Sequence, residues 1–206
     1  MPEPAQGLAD GGAPAPTRPA AAVIVLRGGD ATLEVLLARR NPAARFMGGV
    51  WVFPGGAVDP HEGTDDAAHR LAAVRELEEE AGLRLPDPAA LVPWARWITP
   101  ETFQTRFDTW FYLAEAPARQ TPVADGRECV AVAWRAPQVA LDEAARGERP
   151  LVFPTRRQLE HLAGFPSARA LLDWAPGREV VPVLPRVVGS GEEARVVLPG
   201  EPEYGG

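Results

Sequence analysis

The chain has 206 residues, 46% of them hydrophobic and 24% charged, with a formal net charge of -7. That length suits one domain with an ordinary core rather than two, and the composition is that of a folded chain. The acidic balance excludes sequence-independent binding to nucleic acid, which rests on Lys and Arg neutralising phosphates, and no apolar run approaches the roughly 18 residues of a membrane span.

Residues 1–20, "MPEPAQGLADGGAPAPTRPA", hold little that is large enough to bury and are expected to be a disordered leader. The folded domain is expected over 21–198, with 199–206 as a tail. No signal-type leader is visible and the lone Cys129 cannot form an internal disulfide, so the expected location is the cytoplasm and the expected partner a small molecule.

"AAVIVL" and "LEVLLAR" read as a hairpin around the turn signal "RGGD", and "GGVWVFPGG" as a strand bracketed by glycines. After the polar loop "AVDPHEG", a helix is expected from "TDDAAHR" to Ala81, capped by Thr64 and stopped at Gly82. "LVPWARWI", "RFDTWFYLA" and "ECVAVAW" read as strands, and "PQVALDEAARG" as a helix with Pro137 in its first turn. "TRRQLEHLAG" offers a capping box, Thr155 with Gln158, "SARALLDW" a short helix, and the C-terminal end two strands around "GSGEE". Those last strands suit either a cover for the site or pairing in a homodimer. The six tryptophans are expected in the core, with Trp97 or Phe103 available to hold an adenine; Cys129 is expected buried, and His61, His69 and His161 exposed.

The chemistry centres on "AAVRELEEEAGL", Ala72 to Leu83. On a helix, Glu76, Glu79 and Glu80 share a face and Glu78 turns away. Like charges at that spacing repel by roughly 0.2 to 0.5 kcal/mol per pair, and a divalent cation would reverse the sign. Carboxylates on a rigid helix suit hard cations such as Mg2+ or Mn2+, and such ions offset the charge of a diphosphate.

With Gly55-Gly56 upstream and Gly82-Leu83 downstream, the stretch resembles the Nudix hydrolase signature. Arg75, Glu76, Leu77, Glu79, Glu80, Gly82 and Leu83 match its second half at every specified position. The first half departs from it: the loop from Gly56 to the helix is five residues longer, and Ala67 stands where the family has a glutamate. Glu62, Asp65 and Asp66 are candidates for that missing acid.

The resemblance implies an α+β fold, the Nudix α/β/α sandwich with a mixed β-sheet between helices. It also implies Mg2+ or Mn2+ held by Glu76, Glu79, Glu80 and the Gly55 carbonyl. Arg75, Glu76 and Glu79 are implied as catalytic, together with a later acid for which Glu128 comes before Asp125. Leu36, Leu37, Arg39, Arg45, Gly49 and Phe53-Pro54-Gly55-Gly56 are similar to the upstream motif of the coenzyme A diphosphatase branch, although that branch's Thr and Ser-Ala are absent. "RWITPE" and "RFDTWFYLA" resemble its peroxisomal-type members. Arginines 39, 40 and 45 near a diphosphate make chemical sense as bidentate phosphate ligands, and Arg96 and Arg106 are candidate cleft residues on neighbouring strands. The implied reaction is hydrolysis of a nucleoside diphosphate derivative, with coenzyme A or acyl-coenzyme A first. The alternatives are ADP-ribose, dinucleotides or damaged nucleotides as substrates, or a nucleotide-sensing module without turnover.

Overall fold

The computed structural model describes residues 13–44, 47–189 and 194–205. Its centre is β1 (Thr17–Arg27), in which every residue from Ala20 to Leu26 is buried. A strand apolar on both faces must be covered on both, and this one is. β2 (Glu34–Arg40) returns antiparallel to it through the predicted Gly28-Gly29 turn. β3 (Trp51–Val52) adds to β2, and β4 (Gly55–Ala57) lies antiparallel on β1, pairing Ala22 with Gly55 and Ala20 with Ala57.

β5 (Val92–Ile98) and β6 (Arg106–Glu115) are antiparallel to each other, and β6 runs parallel to β1 over its whole length. β7 (Cys129–Arg135) pairs with β2, and β8 (Pro182–Val183) closes the far edge parallel to β5. The sheet is therefore mixed. β9 (Arg186–Val188) and β10 (Arg195–Val197) form the separate C-terminal hairpin.

One face of the sheet carries α1 (Asp66–Ala81), whose Ala68, Ala72, Ala73, Leu77 and Ala81 pack on Ala21, Val23 and Val25 of β1. The small side chains bring the helix close to the strand. The other face carries α2 (Pro137–Ala145), α3 (Phe153–Leu162) and α4 (Ala168–Trp174), with Leu159, Leu162 and Leu171 against Ile24 and Leu26. These are the three layers that the sequence implied. Leu77 is fully buried at the helix-sheet seam, so Leu77→Ala should cost about 2 to 5 kcal/mol of stability in a urea titration.

Several local expectations change. β1 starts at Thr17, and the Ala15 carbonyl accepts from Arg106 Nη1 at 2.7 Å, so part of the expected leader belongs to the sheet. Residues 1–12 lie outside the described residues. The expected tail packs on the C-terminal hairpin: Tyr204 Oη donates to the Leu184 carbonyl at 2.7 Å, and Arg186 Nη1 to the Tyr204 carbonyl at 2.8 Å. Asp65 rather than Thr64 caps α1, accepting from the Ala68 amide at 3.0 Å. Thr155 and Gln158 form no capping box, because α3 already starts at Phe153, with Pro154 in its first turn, and both lie inside the helix, buried. His69 is buried with its ring Nδ1 2.8 Å from the Asp65 carbonyl, whereas His61 and His161 are exposed as expected, His161 tilted on Trp94. Trp97 is buried edge-on against Phe153, in the core on the sheet face away from α1 and its acids.

Among the described residues, no helix is long and apolar enough to cross a membrane.

Candidate active site

Gly82, in the left-handed conformation at φ 65°, ends α1 where the pattern of residues placed the stop. The end of the helix nearest β4 carries the acids. Glu80 is 2% exposed and accepts from the Gly55 amide at 2.9 Å, so a charged residue on the helix is tied to the strand carrying the glycine pair. Burial pushes its carboxyl up to about 7; the Gly55 hydrogen bond works against that rise and the neighbouring Glu76 adds to it. Glu76 is likewise raised, chiefly by burial, with the Arg75 hydrogen bond opposing and Glu79 and Glu128 adding to the rise.

The glycine pair has two distinct jobs. A Cβ on Gly56 would stand 2.4 Å from Glu76 Oε1, so the missing side chain is the space the carboxylate occupies. A Cβ on Gly55 would instead meet the Ala21 carbonyl at 2.4 Å and Ala22 Cα at 2.6 Å, inside the sheet.

Arg75 organises the cluster. Its Nε donates to Glu62 Oε1 at 3.0 Å and its Nη2 to Glu62 Oε2 at 3.2 Å and to the Ala57 carbonyl at 3.0 Å. Its Nη1 donates to Glu76 Oε1 at 2.7 Å and Glu79 Oε2 at 3.2 Å. One guanidinium thus joins the loop, β4 and two acids of the helix, using donors in a fixed plane.

Glu62 therefore answers the question of the missing acid. The longer loop lets it reach Arg75 from thirteen residues upstream, and the Asp59 amide donates to its Oε2 at 2.7 Å. Burial opposes its charge, but the Arg75 and Asp59 hydrogen bonds outweigh that and hold it below the usual carboxylate range. The other two candidates are engaged elsewhere: Asp65 caps the helix, and Asp66 binds Arg70 Nε at 2.5 Å and Tyr112 Oη at 3.0 Å.

The strands supply the far wall. Glu128, exposed at the entrance to β7, acts on the charge of Glu76, while its amide and those of Arg127 and Cys129 donate to Asp125. Asp125 is thereby a loop staple, and Glu128 remains the acid near the cluster. Cys129 is buried as expected, beside Glu80.

The predicted arginines separate. Alternation along β2 puts Arg40, not Arg39, on the side of α1: the Arg40 guanidinium acts on both Glu80 and Cys129, whereas Arg39 Nε donates to the Gly49 carbonyl at 3.3 Å. Strand parity separates Arg40 from Arg39, and the packing of α1 on the Leu36 face of β2 is what singles Arg40 out. Arg96 gives its fork to Asp108, at 2.8 and 2.6 Å. Arg106 is buried and spends Nε on the Thr99 carbonyl at 3.1 Å and Nη1 on the Ala15 carbonyl, so it pins the segment before β1 to the β5–β6 connection and does not line a cleft. Arg45 lies outside the described residues.

Among the described residues, no three acidic, His or Cys side chains already converge as a closed metal cage. The donor set nevertheless fits a hard cation. Two carboxylates, the buried Glu80 and the half-buried Glu76, are held above their usual range by burial and by neighbouring acids, Glu76 acting on Glu80 and Glu79 and Glu128 acting on Glu76, and a divalent charge relieves both effects.

The NUDIX domain model matches residues 16–154. The chain belongs to the Nudix hydrolase family. The match covers β1 to β7 and the start of α3, including every residue of the acid cluster. Nudix hydrolase 7 of Caenorhabditis elegans is 30% identical over 169 residues, 64% of this chain and 56% of the worm protein, so this Nudix chain spans little more than half the length of that relative. The acyl-coenzyme A diphosphatase of Homo sapiens is 24% identical over 270 residues, 83% of this chain and 72% of the human protein. Among solved structures, a Nudix hydrolase from Alicyclobacillus acidocaldarius is similar with a TM-score of 0.69 at 27% identity, covering 80% of this chain and 99% of that one.

Proposed function

We propose that this Nudix protein hydrolyses the diphosphate linkage of coenzyme A or an acyl-coenzyme A, yielding 3',5'-ADP and a phosphopantetheine. The observation that carries the hydrolytic part is the Arg75 hub, which fixes Glu62, Glu76 and Glu79 around a glycine segment whose Gly55 amide also holds Glu80. The coenzyme A part is supported by the upstream leucine, arginine and Phe-Pro-Gly-Gly pattern and by the likeness to the human acyl-coenzyme A diphosphatase.

Glu76, Glu79, Glu80 and the Gly55 carbonyl are the residues that would hold Mg2+ or Mn2+. The bound cation supplies neutralisation of the diphosphate's charge. The residues of the chain do the rest. Arg75 keeps Glu76 and Glu79 in a single orientation, so their oxygens need no reordering during turnover. Glu128, in solvent beside Glu76, accepts a proton from the attacking water as the new bond to phosphorus forms and the P–O bond to the leaving phosphate breaks. Arg40, whose charge acts on Glu80, would take a phosphate oxygen.

Assay of a panel of coenzyme A, dephospho-coenzyme A, ADP-ribose and a dinucleoside polyphosphate with Mg2+ tests the substrate. Coenzyme A or its acyl form should be cleaved best; equal cleavage of the dephospho form removes the coenzyme A reading. Glu128→Gln should lower kcat by about a hundredfold or more while leaving KM little changed.

A further inference from the structure

β7 does not run evenly along β2. Ala131 stands opposite Arg39 and Cys129 opposite Arg40, so Val130 between them has no partner. An extra residue of this kind is a β-bulge, which re-aims the side chains beside it. Val132 and Trp134 of β7 pack with the core under α1, and regular alternation would give Val130 that same face and turn Cys129 away. Instead Val130 is 39% exposed, while Cys129 is wholly buried beside Glu80 of α1.

Hydrogen bonds hold the irregularity in place. The Asp125 carboxylate accepts from the Arg127, Glu128 and Cys129 amides at 3.1, 2.9 and 2.8 Å, and the Gly126 amide donates to the Cys129 carbonyl at 2.9 Å. From the end of β2, the Asn41 amide donates to the Glu128 carbonyl and Asn41 Nδ2 to the Arg127 carbonyl, each at 2.8 Å. With its own amide and carbonyl both engaged, Cys129 is fixed relative to the strand that carries Arg40.

Glu80 therefore meets partners from two strands. The Gly55 amide of β4 donates to its Oε2 at 2.9 Å, and the Cys129 side chain of β7 is hydrogen-bonded to the same carboxyl. A thiol is a weak donor, but this one has no water to compete with it. A carboxylate held by one donor can pivot about that bond; a second donor on another strand fixes its plane.

We propose that Cys129 is a positioning residue of the hydrolytic site, its S–H and the Gly55 amide together setting the orientation in which Glu80 meets the cation. This role rests on Glu80 being a cation ligand. Groups that orient a metal ligand typically contribute about ten- to a hundredfold in metal affinity or activity. Three variants of the full chain test it, each checked for folding by a thermal melt: Cys129→Ser keeps a donor, whereas Cys129→Ala and Cys129→Val remove it, the valine with little loss of volume. By calorimetry, Mn2+ affinity should fall about tenfold or more in Cys129→Ala and Cys129→Val, with kcat falling and KM little changed, and Cys129→Ser should recover most of both losses. A packing role alone would lower the thermal midpoint of Cys129→Ala and leave Mn2+ affinity as it was. Wild-type Mn2+ affinity in the two apolar variants, or a serine variant no better than they are, overturns the proposal. Titration of Glu80→Gln alongside separates the causes. If Glu80→Gln binds Mn2+ weakly while Cys129→Val matches the wild type, only the role of Cys129 falls; wild-type affinity in Glu80→Gln removes Glu80 as a ligand and the role of Cys129 with it.

Discussion

Glu80→Gln should lower turnover by about three orders of magnitude and, in the metal-free protein near pH 8, make the fold more stable. The opposite signs follow from one fact: Glu80 is almost wholly buried and its carboxyl is pushed up to about 7 by burial. A folded-state value above the unfolded one means that the folded protein binds the extra proton between the two. Stability contributed by the protonated form is therefore complete below about pH 4 and lost as pH rises toward 7. The rise from 4.5 to about 7 corresponds to about 3 kcal/mol. Glutamine escapes that loss and still offers the Gly55 amide an oxygen. Urea titrations of wild type and variant between about pH 5 and 8, without divalent ions, measure the crossing. If the two proteins respond to pH in parallel, Glu80 is not an acid strained by burial.

Gly56→Ala should reduce kcat by about a hundredfold or more with the sheet intact, because the new methyl claims the place of the Glu76 carboxylate, 2.4 Å from its Oε1. The displaced carboxylate also loses its bond to Arg75 Nη1, which disturbs Glu79 through the same guanidinium. Gly55→Ala provides the contrast: its methyl meets β1 backbone, so it should show mainly as lost stability. Steady-state kinetics with a parallel thermal melt separates the two. A Gly56→Ala enzyme with unchanged kcat would show that Glu76 is free to move without consequence.

How much of this was legible in the sequence depends on the range over which each cause acts. Helical spacing alone brought Glu76, Glu79 and Glu80 together and set Glu78 apart, and Gly82 marked the stop, because those relations are local. The partner of Arg75 was narrowed to three acids and no further: choosing Glu62 required the path of a loop five residues longer than the family's, and the sequence carries no record of that path. Thr155 and Gln158 matched a capping pattern, but the helix starts earlier, at Phe153 with Pro154 in its first turn, and the same misplaced register hid Gln158 as the buried partner of Trp94. The strand arginines failed for another reason. Alternation states that Arg39 and Arg40 face opposite ways but not which face holds α1, and nothing in "RFDTWFYLA" says that Arg106 will be buried on the Ala15 carbonyl.

The central claim is that Glu76, Glu79 and Glu80 form a cation site and not a charged helix surface. Calorimetric titration of Mn2+ into the wild type and Glu80→Gln near pH 8 tests it most directly. The wild type should show one or more saturable sites, accompanied by a higher thermal midpoint, and the variant affinity at least about tenfold weaker. Equal Mn2+ affinity in the two proteins, or no saturable binding to the wild type, would contradict it.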